Sequence, residues 1–258
     1  MKKTLFFAAA LLSLAACNKA VIDSQMAEYG FLSFDVSADN TVKVETKAGA
    51  DDEFTYDVSS FLVAFGGKEY PISELSSPVQ IATGTYDIEA YNYTLADAEK
   101  GNGHLRIADS KQVTVTANAA ATAVLRCTPK SSEVKLAYSE NYKRLYPTSV
   151  FTLTGKRNNV DNVVLPLVEN TPVYYNNTEN GTVSVTYQIK AKGDASDKNT
   201  TFGGTLSLKN AHSLTITVDV QTANGQIAID LKATNMLTNE FSTITVDPYS
   251  GNSSVANN

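Results

Sequence analysis

Val183-Ser184-Val185-Thr186-Tyr187-Gln188-Ile189-Lys190 alternates apolar and polar residues without a break. Successive side chains of a strand point to opposite faces. The stretch therefore predicts a strand with Val183, Val185, Tyr187 and Ile189 on a dry face and Ser184, Thr186, Gln188 and Lys190 on a wet one. The same rhythm recurs in Leu214, Ile216, Val218 and Val220, and again in Ile227, Ile229 and Leu231 beyond Asn224-Gly225. An Asn-Gly pair between alternating runs is a hairpin signal, because both residues tolerate positive φ.

Working outward, the first half reads the same way. Leu32, Phe34 and Val36 alternate with polar residues; Val42 and Val44 follow; Phe61, Val63 and Phe65 run up to Gly66-Gly67. Tyr86, Ile88 and Ala90, then Val113 and Val115, lead to the run Ala123 to Cys127. Helix signals are few. Ser139 can cap a short helix over Glu140 to Tyr146 that Pro147 stops, and Leu95 to Lys100 can make a turn or two closed by Gly101. The pattern predicts an all-β chain of two tandem antiparallel Greek-key β-sandwiches. The break at Thr128-Pro129-Lys130-Ser131-Ser132 divides them into residues 29–129 and 130–248, with a polar tail over 249–258. No sequence repeat aligns the two halves.

The chain begins with an export signal. Lys2 and Lys3 precede an apolar run, Leu5 to Leu12, that is too short to span a bilayer. The run ends in Leu14-Ala15-Ala16-Cys17, which resembles the bacterial lipobox. The resemblance implies removal of residues 1–16 and a diacylglyceryl group, with palmitate-type chains, on the Cys17 thiol. Each buried CH₂ contributes about 0.8 kcal/mol, so two or more chains hold firmly. Residues 17–28 then form the lipidated tether, and the outer membrane, at the cell surface, is the expected address. Asn18 stands where some bacteria place an inner-membrane retention aspartate.

Loss of Lys2 and Lys3 takes the formal charge from −6 to −8, which argues against nucleic acid as a partner. Once Cys17 is used, Cys127 is the sole remaining cysteine, so no intramolecular disulfide is expected. Its apolar neighbours mark Cys127 as a small buried hydrophobe. His104 and His212 lie in different halves, with no second ligand at metal spacing. Asp194, Asp197 and Asp51-Asp52-Glu53 lack the spacing of a calcium loop. No nucleophile elbow, P-loop or dinucleotide motif is present. No cofactor, no metal and no catalysis are expected beyond the covalent lipid. Tyr91 and Tyr93, in phase with Asp87 and Glu89, and Tyr174-Tyr175 after Pro172 are candidates to face a sugar or a protein partner.

A family resemblance rests on the order of several short motifs: Thr46-Lys47-Ala48, Gly84-Thr85-Tyr86-Asp87-Ile88-Glu89-Ala90, Val113-Thr114-Val115, Cys127, and Val134-Lys135-Leu136. This order resembles Bacteroidales surface lipoproteins of a family of unknown function, related to fimbrillin-like proteins. It implies transthyretin-like sandwiches and a role in adhesion or fimbrial assembly, with other fimbrial subunits or a host or glycan surface as partners. In such proteins a cut after a basic residue frees a groove for a neighbour's strand. The matching site here is Lys47-Ala48, before Gly49 to Glu53 read as an exposed loop, although family sites commonly carry arginine. The expectation is an anchored adhesion or fimbria-like assembly component acting through sheet edges. The alternative is a glycan-binding lipoprotein of polysaccharide uptake.

Overall fold

The computed structural model describes residues 28–38, 43–45, 51–53, 57–176, 182–192, 199–220, 227–236 and 241–246. In the first half, β1 (Tyr29–Ala38), β4 (Leu62–Phe65), β5 (Lys68–Pro71), β6 (Val79–Ala82), β7 (Gly84–Tyr91), β8 (Ile107–Val115) and β9 (Ala120–Pro129) run in the order β5-β4-β7-β8-β9-β1-β6. A separate ribbon pairs β2 (Lys43–Glu45) with β3 (Asp51–Glu53), so Asp51–Glu53 is a strand rather than the loop its acidic composition suggests. β8 and β9 pair through Ile107–Pro129 and Ala108–Thr128 alone. The sheet folds over at that corner and encloses a core of Leu32, Val63, Ile88, Ile107, Leu125 and Cys127.

The second half holds two sheets. β10 (Ser131–Tyr138), β13 (Val173–Asn176), β16 (His212–Val220), β17 (Ile227–Asn235) and β18 (Phe241–Val246) run in the order β13-β10-β16-β17-β18. β11 (Val150–Arg157), β12 (Val160–Leu167), β14 (Thr182–Lys192) and β15 (Asn199–Lys209) run in the order β12-β11-β14-β15. Val185, Tyr187 and Ile189 are buried against Leu214, Ile216, Val218, Ile229 and Leu231 in one cluster, so the alternation read in the sequence does form the facing layers of a sandwich. Asn224-Gly225 lies outside the described residues, although β16 and β17 pair antiparallel on either side of it, from Val220–Ile227 to His212–Asn235.

The halves repeat one strand order. β5-β4-β7-β8 corresponds to β12-β11-β14-β15, and β9-β1-β6 to β16-β10-β13. Each half also has one parallel ladder between corresponding strands, β1 with β9 and β10 with β16. Among the described residues every other ladder is antiparallel, so the expectation of wholly antiparallel sheets is corrected at these two places. In each half the chain leaves its first strand, builds the opposite layer and returns beside that strand in the same direction. The corresponding hairpins close alike: Gly66 and Gly67 both have positive φ, and so do Asn158 and Asn159, the signature of a two-residue type I′ turn. β17 and β18 are additions found in the second half.

Both short helices form within the segments that the sequence marks, the first ending at Ala98 rather than Lys100. α1 (Leu95–Ala98) is capped by Thr94, and α2 (Glu140–Leu145) by Ser139, whose hydroxyl accepts from the Tyr142 amide at 3.1 Å.

The joint between the halves is hydrogen-bonded rather than slack. β9 runs into β10 through Lys130, whose amide donates to the Arg106 carbonyl at 2.7 Å. The Arg106 amide donates to Ser131 Oγ at 2.8 Å, and that hydroxyl donates to Asn176 Oδ1 at 2.6 Å. On the far side of this link, the loop after α1 grips the β11–β12 hairpin. Arg157, 4% exposed, donates to the Gly101 carbonyl at 2.5 Å and the Tyr174 carbonyl at 3.1 Å. Glu99, 7% exposed, accepts from the amides of Asn158 and Asn176. Burial pulls the Arg157 guanidinium below its ordinary range, and the nearby Glu99 carboxylate opposes that shift.

Gly103 is required by this packing. Its φ is +85°, and a Cβ there would stand 2.7 Å from an Arg157 terminal nitrogen and 2.9 Å from the Ala98 and Tyr174 carbonyls. Arg157→Ala removes two charge-assisted hydrogen bonds, worth about 1.5–3 kcal/mol each. It is expected to lower the unfolding free energy by about 3 kcal/mol in urea titrations. A midpoint equal to that of the parent would contradict the joint described here.

Candidate interaction surfaces

Cys17, Lys47 and Ala48 lie outside the described residues, as do Asp194 and Asp197. Of the four candidate tyrosines, the structure buries two. Tyr91 does share the outer face of β7 with Asp87 and Glu89, but it is 3% exposed. Its hydroxyl donates to Glu69 at 2.6 Å, and the Arg106 guanidinium, held by Glu89 at 2.6 Å, lies 5.6 Å from its ring centre. This roof of long side chains covers a residue that strand phase alone places in water. Burial, then Glu69, raises its hydroxyl above the ordinary tyrosine range.

Tyr175 is fully buried beneath Arg157, 5.5 Å from ring centre to guanidinium, and burial pushes its hydroxyl up to about 12. Tyr174 is half-buried, with its hydroxyl donating to Glu133 at 3.1 Å. Tyr93 is 39% exposed and stacks on His104 with ring centres 4.6 Å apart. So of the four, Tyr91 and Tyr175 are corrected from exposed to buried, and Tyr93 is the one that presents a broad ring to solvent.

The most exposed aliphatic side chains gather near one sheet edge that the sequence reading did not single out. β12 is the outermost strand of β12-β11-β14-β15. Val160 and Val164 of β12 are each 58% exposed, Val168 just beyond its end is 60% exposed, and Val150 of β11 is 53% exposed. Val164 lies opposite Thr154 on the outer face, whereas the bulge places Val160 opposite Arg157, out of phase with it. Inward from Val164 the outer face continues through Thr154, Thr186 and Thr205, each paired to the next across the sheet, so this row carries no charge. A bulge on β12 opposite Lys156, with Asn162 at φ +59°, lets the strand bend at its start. Pro166 has no N–H to give β11, so its nitrogen faces the open edge and interrupts the row of donors there. The sequence signal for this edge was the low charge of the stretch Val160 to Val168, in which Asp161 is the one charged residue.

A second surface is polar. A concavity of about 600 Å³ lies over the outer face of β5-β4-β7-β8, rimmed by the Gly66-Gly67 turn. Within it, Asp87 accepts from Gln112 at 3.0 Å and Glu89 from Arg106 at 2.6 Å, so both carboxylates are held in place.

Cys127 is fully buried, with Sγ 3.7 Å from the Ala90 carbonyl, and burial pushes its thiol up to about 11. At pH 8 about one thiol in a thousand would then be ionised. The native protein is expected to leave Cys127 unlabelled by a thiol reagent at pH 8 and to label it fully in denaturant. Rapid native labelling would contradict the burial.

Among the described residues, no helix is long and apolar enough to cross a membrane, and no three His, Cys, Asp or Glu side chains gather to hold a metal ion. No curated protein matches the chain. Several solved structures are similar to it. A "putative cell adhesion protein" from Bacteroides eggerthii is 9% identical at a TM-score of 0.40, over 85% of this chain and 95% of that one. A "putative adhesin" from Bacteroides ovatus is 11% identical at 0.39, over 84% and 95%. One from Bacteroides thetaiotaomicron is 11% identical at 0.39, over 88% and 100%. The family model described as "Domain of unknown function (DUF4493)" matches residues 28–248, both sandwiches together, and the chain belongs to that family.

Proposed function

We propose that this protein is a lipid-anchored, non-enzymatic cell-surface component used in adhesion or fimbria-like assembly, and that it acts through the β12 edge. The observation that carries the reading is the exposure of Val160 and Val164 on an outermost strand, with Val168 exposed just beyond its end. Native proteins usually blunt such edges with charge or cover them. Here the stretch from Val160 to Val168 holds one charged residue, Asp161. A contiguous apolar edge of this kind marks a contact surface.

The proposal divides the chain into a leader, residues 1–16, a lipidated tether, 17–28, two sandwich domains, 29–129 and 130–248, and a tail, 249–258. Cys17 supplies attachment to the outer membrane, and the sandwiches carry the edge away from the bilayer. A second reading, glycan binding, is favoured by the concavity with its fixed carboxylates and by the exposed ring of Tyr93. A glycan array without binding rejects it.

Intact mass of the protein from its native membrane tests the anchor. A mass starting at acylated Cys17 is expected; one starting at Ala48 without lipid would replace the anchored reading with a processed subunit. Val164→Lys tests the edge. It changes an exposed site, so stability should stay within about 0.5 kcal/mol. Adhesion of cells displaying the variant is expected to fall about tenfold, equivalent to ~1.4 kcal/mol. Unchanged adhesion would reject the edge.

A further inference from the structure

We propose that the end of the first sandwich where β1 begins rests against the lipid surface that anchors the chain, with Tyr29 and Phe31 as the contact residues. This rests on the reading of Cys17 as the lipidated anchor and adds a second, weaker attachment to it.

Tyr29 and Phe31 are 51% and 44% exposed, the most exposed aromatic rings among the described residues. They share one face of β1, while Leu32 on the other face is fully buried. Gly30, between them, is pressed against the turn after β8: a Cβ there would stand 2.4 Å from the Thr116 carbonyl oxygen. The Asn118 amide donates to the Tyr29 carbonyl and the Phe31 amide to the Ala119 carbonyl, both at 2.9 Å. The Thr83 amide donates to the Glu28 carbonyl at 2.7 Å. A fixed backbone thus presents the two rings, and little freedom is lost when they meet a surface.

Charge is missing around them. Tyr29 to Phe34, Leu75 to Tyr86 and Gln112 to Leu125 meet at this end, and none of the three holds a charged residue, in a chain that is 19% charged. Tyr29 lies opposite Ala82, and Phe31 opposite Gln80 on one side and Ala120 on the other. Farther along the same face charge returns, as the Asp35–Arg126 pair at 2.8 Å. Glu28, just before the strand, is the one carboxylate at the entry. An end built this way can approach a bilayer without stripping water from ions, which is costly for every charge left unpaired. Tyrosine and phenylalanine suit that boundary, the rings toward the apolar side and the phenol hydroxyl toward water.

Position along the chain selects lipid as the occupant. The described residues begin at Glu28, and residues 18–28 span at most about 40 Å fully extended. With Cys17 in the bilayer, the start of β1 is the part of the sandwich held closest to lipid, and tethering makes even two rings effective. β1 and β9 run parallel, so β9 leaves for the second half at the opposite end of β1. Docking through Tyr29 and Phe31 therefore points the joint away from the bilayer.

The test uses the full lipidated chain in vesicles of phosphatidylethanolamine and phosphatidylglycerol. Phe31→Cys and Ser37→Cys each carry an environment-sensitive fluorophore; position 37 is on the same face, about 20 Å farther along β1. Cys17 is acylated and Cys127 buried, so neither takes the label. Lipids bearing a nitroxide just below the headgroup are expected to quench the probe at 31 and leave the probe at 37 unquenched. Adding Tyr29→Glu to Phe31→Cys is expected to remove most of that quenching. Equal quenching at 31 and 37, or quenching unchanged by Tyr29→Glu, overturns the docking. No quenching at 31 in protein whose mass shows acylated Cys17 also overturns it and leaves the anchor standing. Blue-shifted emission at 31 without quenching assigns the rings to a protein segment instead. A mass without acyl chains overturns the anchor, and the docking falls with it.

Discussion

Arg157 is the residue on which the rest of the molecule hangs. It closes β11 just before the Asn158-Asn159 turn, and its guanidinium reaches two backbone carbonyls, one in each half of the chain. A buried cation costs several kcal/mol unless it is well bonded. Here Glu99 lies close enough to favour the charge, and it is itself held by the amides of Asn158 and Asn176. The outcome is that the β11–β12 hairpin is fastened at its tip to the loop after α1. The direct β9–β10 link joins the same network, since Ser131 donates to Asn176, whose amide donates to Glu99. An edge used for contact benefits from such fixing, because less freedom is lost on binding.

The repeated strand order explains how the two halves differ in their edges. In the first half the corresponding outer strand is β5, four residues long, ending in Pro71 and carrying Lys68 and Glu69. Shortness, charge and proline are the usual protections of a free edge. β12, at the same place in the second half, has eight residues and carries exposed valines. β12 keeps two protections of its own, Pro166 and a bulge, but presents valines where β5 presents Lys68 and Glu69. The outer faces differ likewise: β7 carries Asp87 and Glu89, whereas Thr154, Thr186 and Thr205 form an uncharged row across the second half.

Much of the fold was legible because burial on one face forces a period of two. β14, β16 and β17 followed directly from their valines, isoleucines and leucines, and Ser139, Gly66-Gly67 and Gly101 marked caps and turns through their own backbone preferences. Which strand lies beside which was not legible. Period two says nothing of partner order, so the parallel ladders of β1 with β9 and β10 with β16 were missed, and with them the repeat. The joint was hidden because Glu99 and Arg157 are remote in sequence and ordinarily read as solvated. Tyr91 shows the converse limit: its strand phase was read rightly, but the roof of Arg106 and Glu69 belongs to other strands.

The measurement that tests the central claim most directly is hydrogen–deuterium exchange across all sheet edges, in the dilute free protein and in the protein engaged in adhesion. The account predicts that the Val164 amide exchanges quickly when free, because it faces open water, and becomes protected on engagement while β5 and β18 stay unchanged. Protection that appears at another edge, with Val164 still exchanging freely, would contradict it.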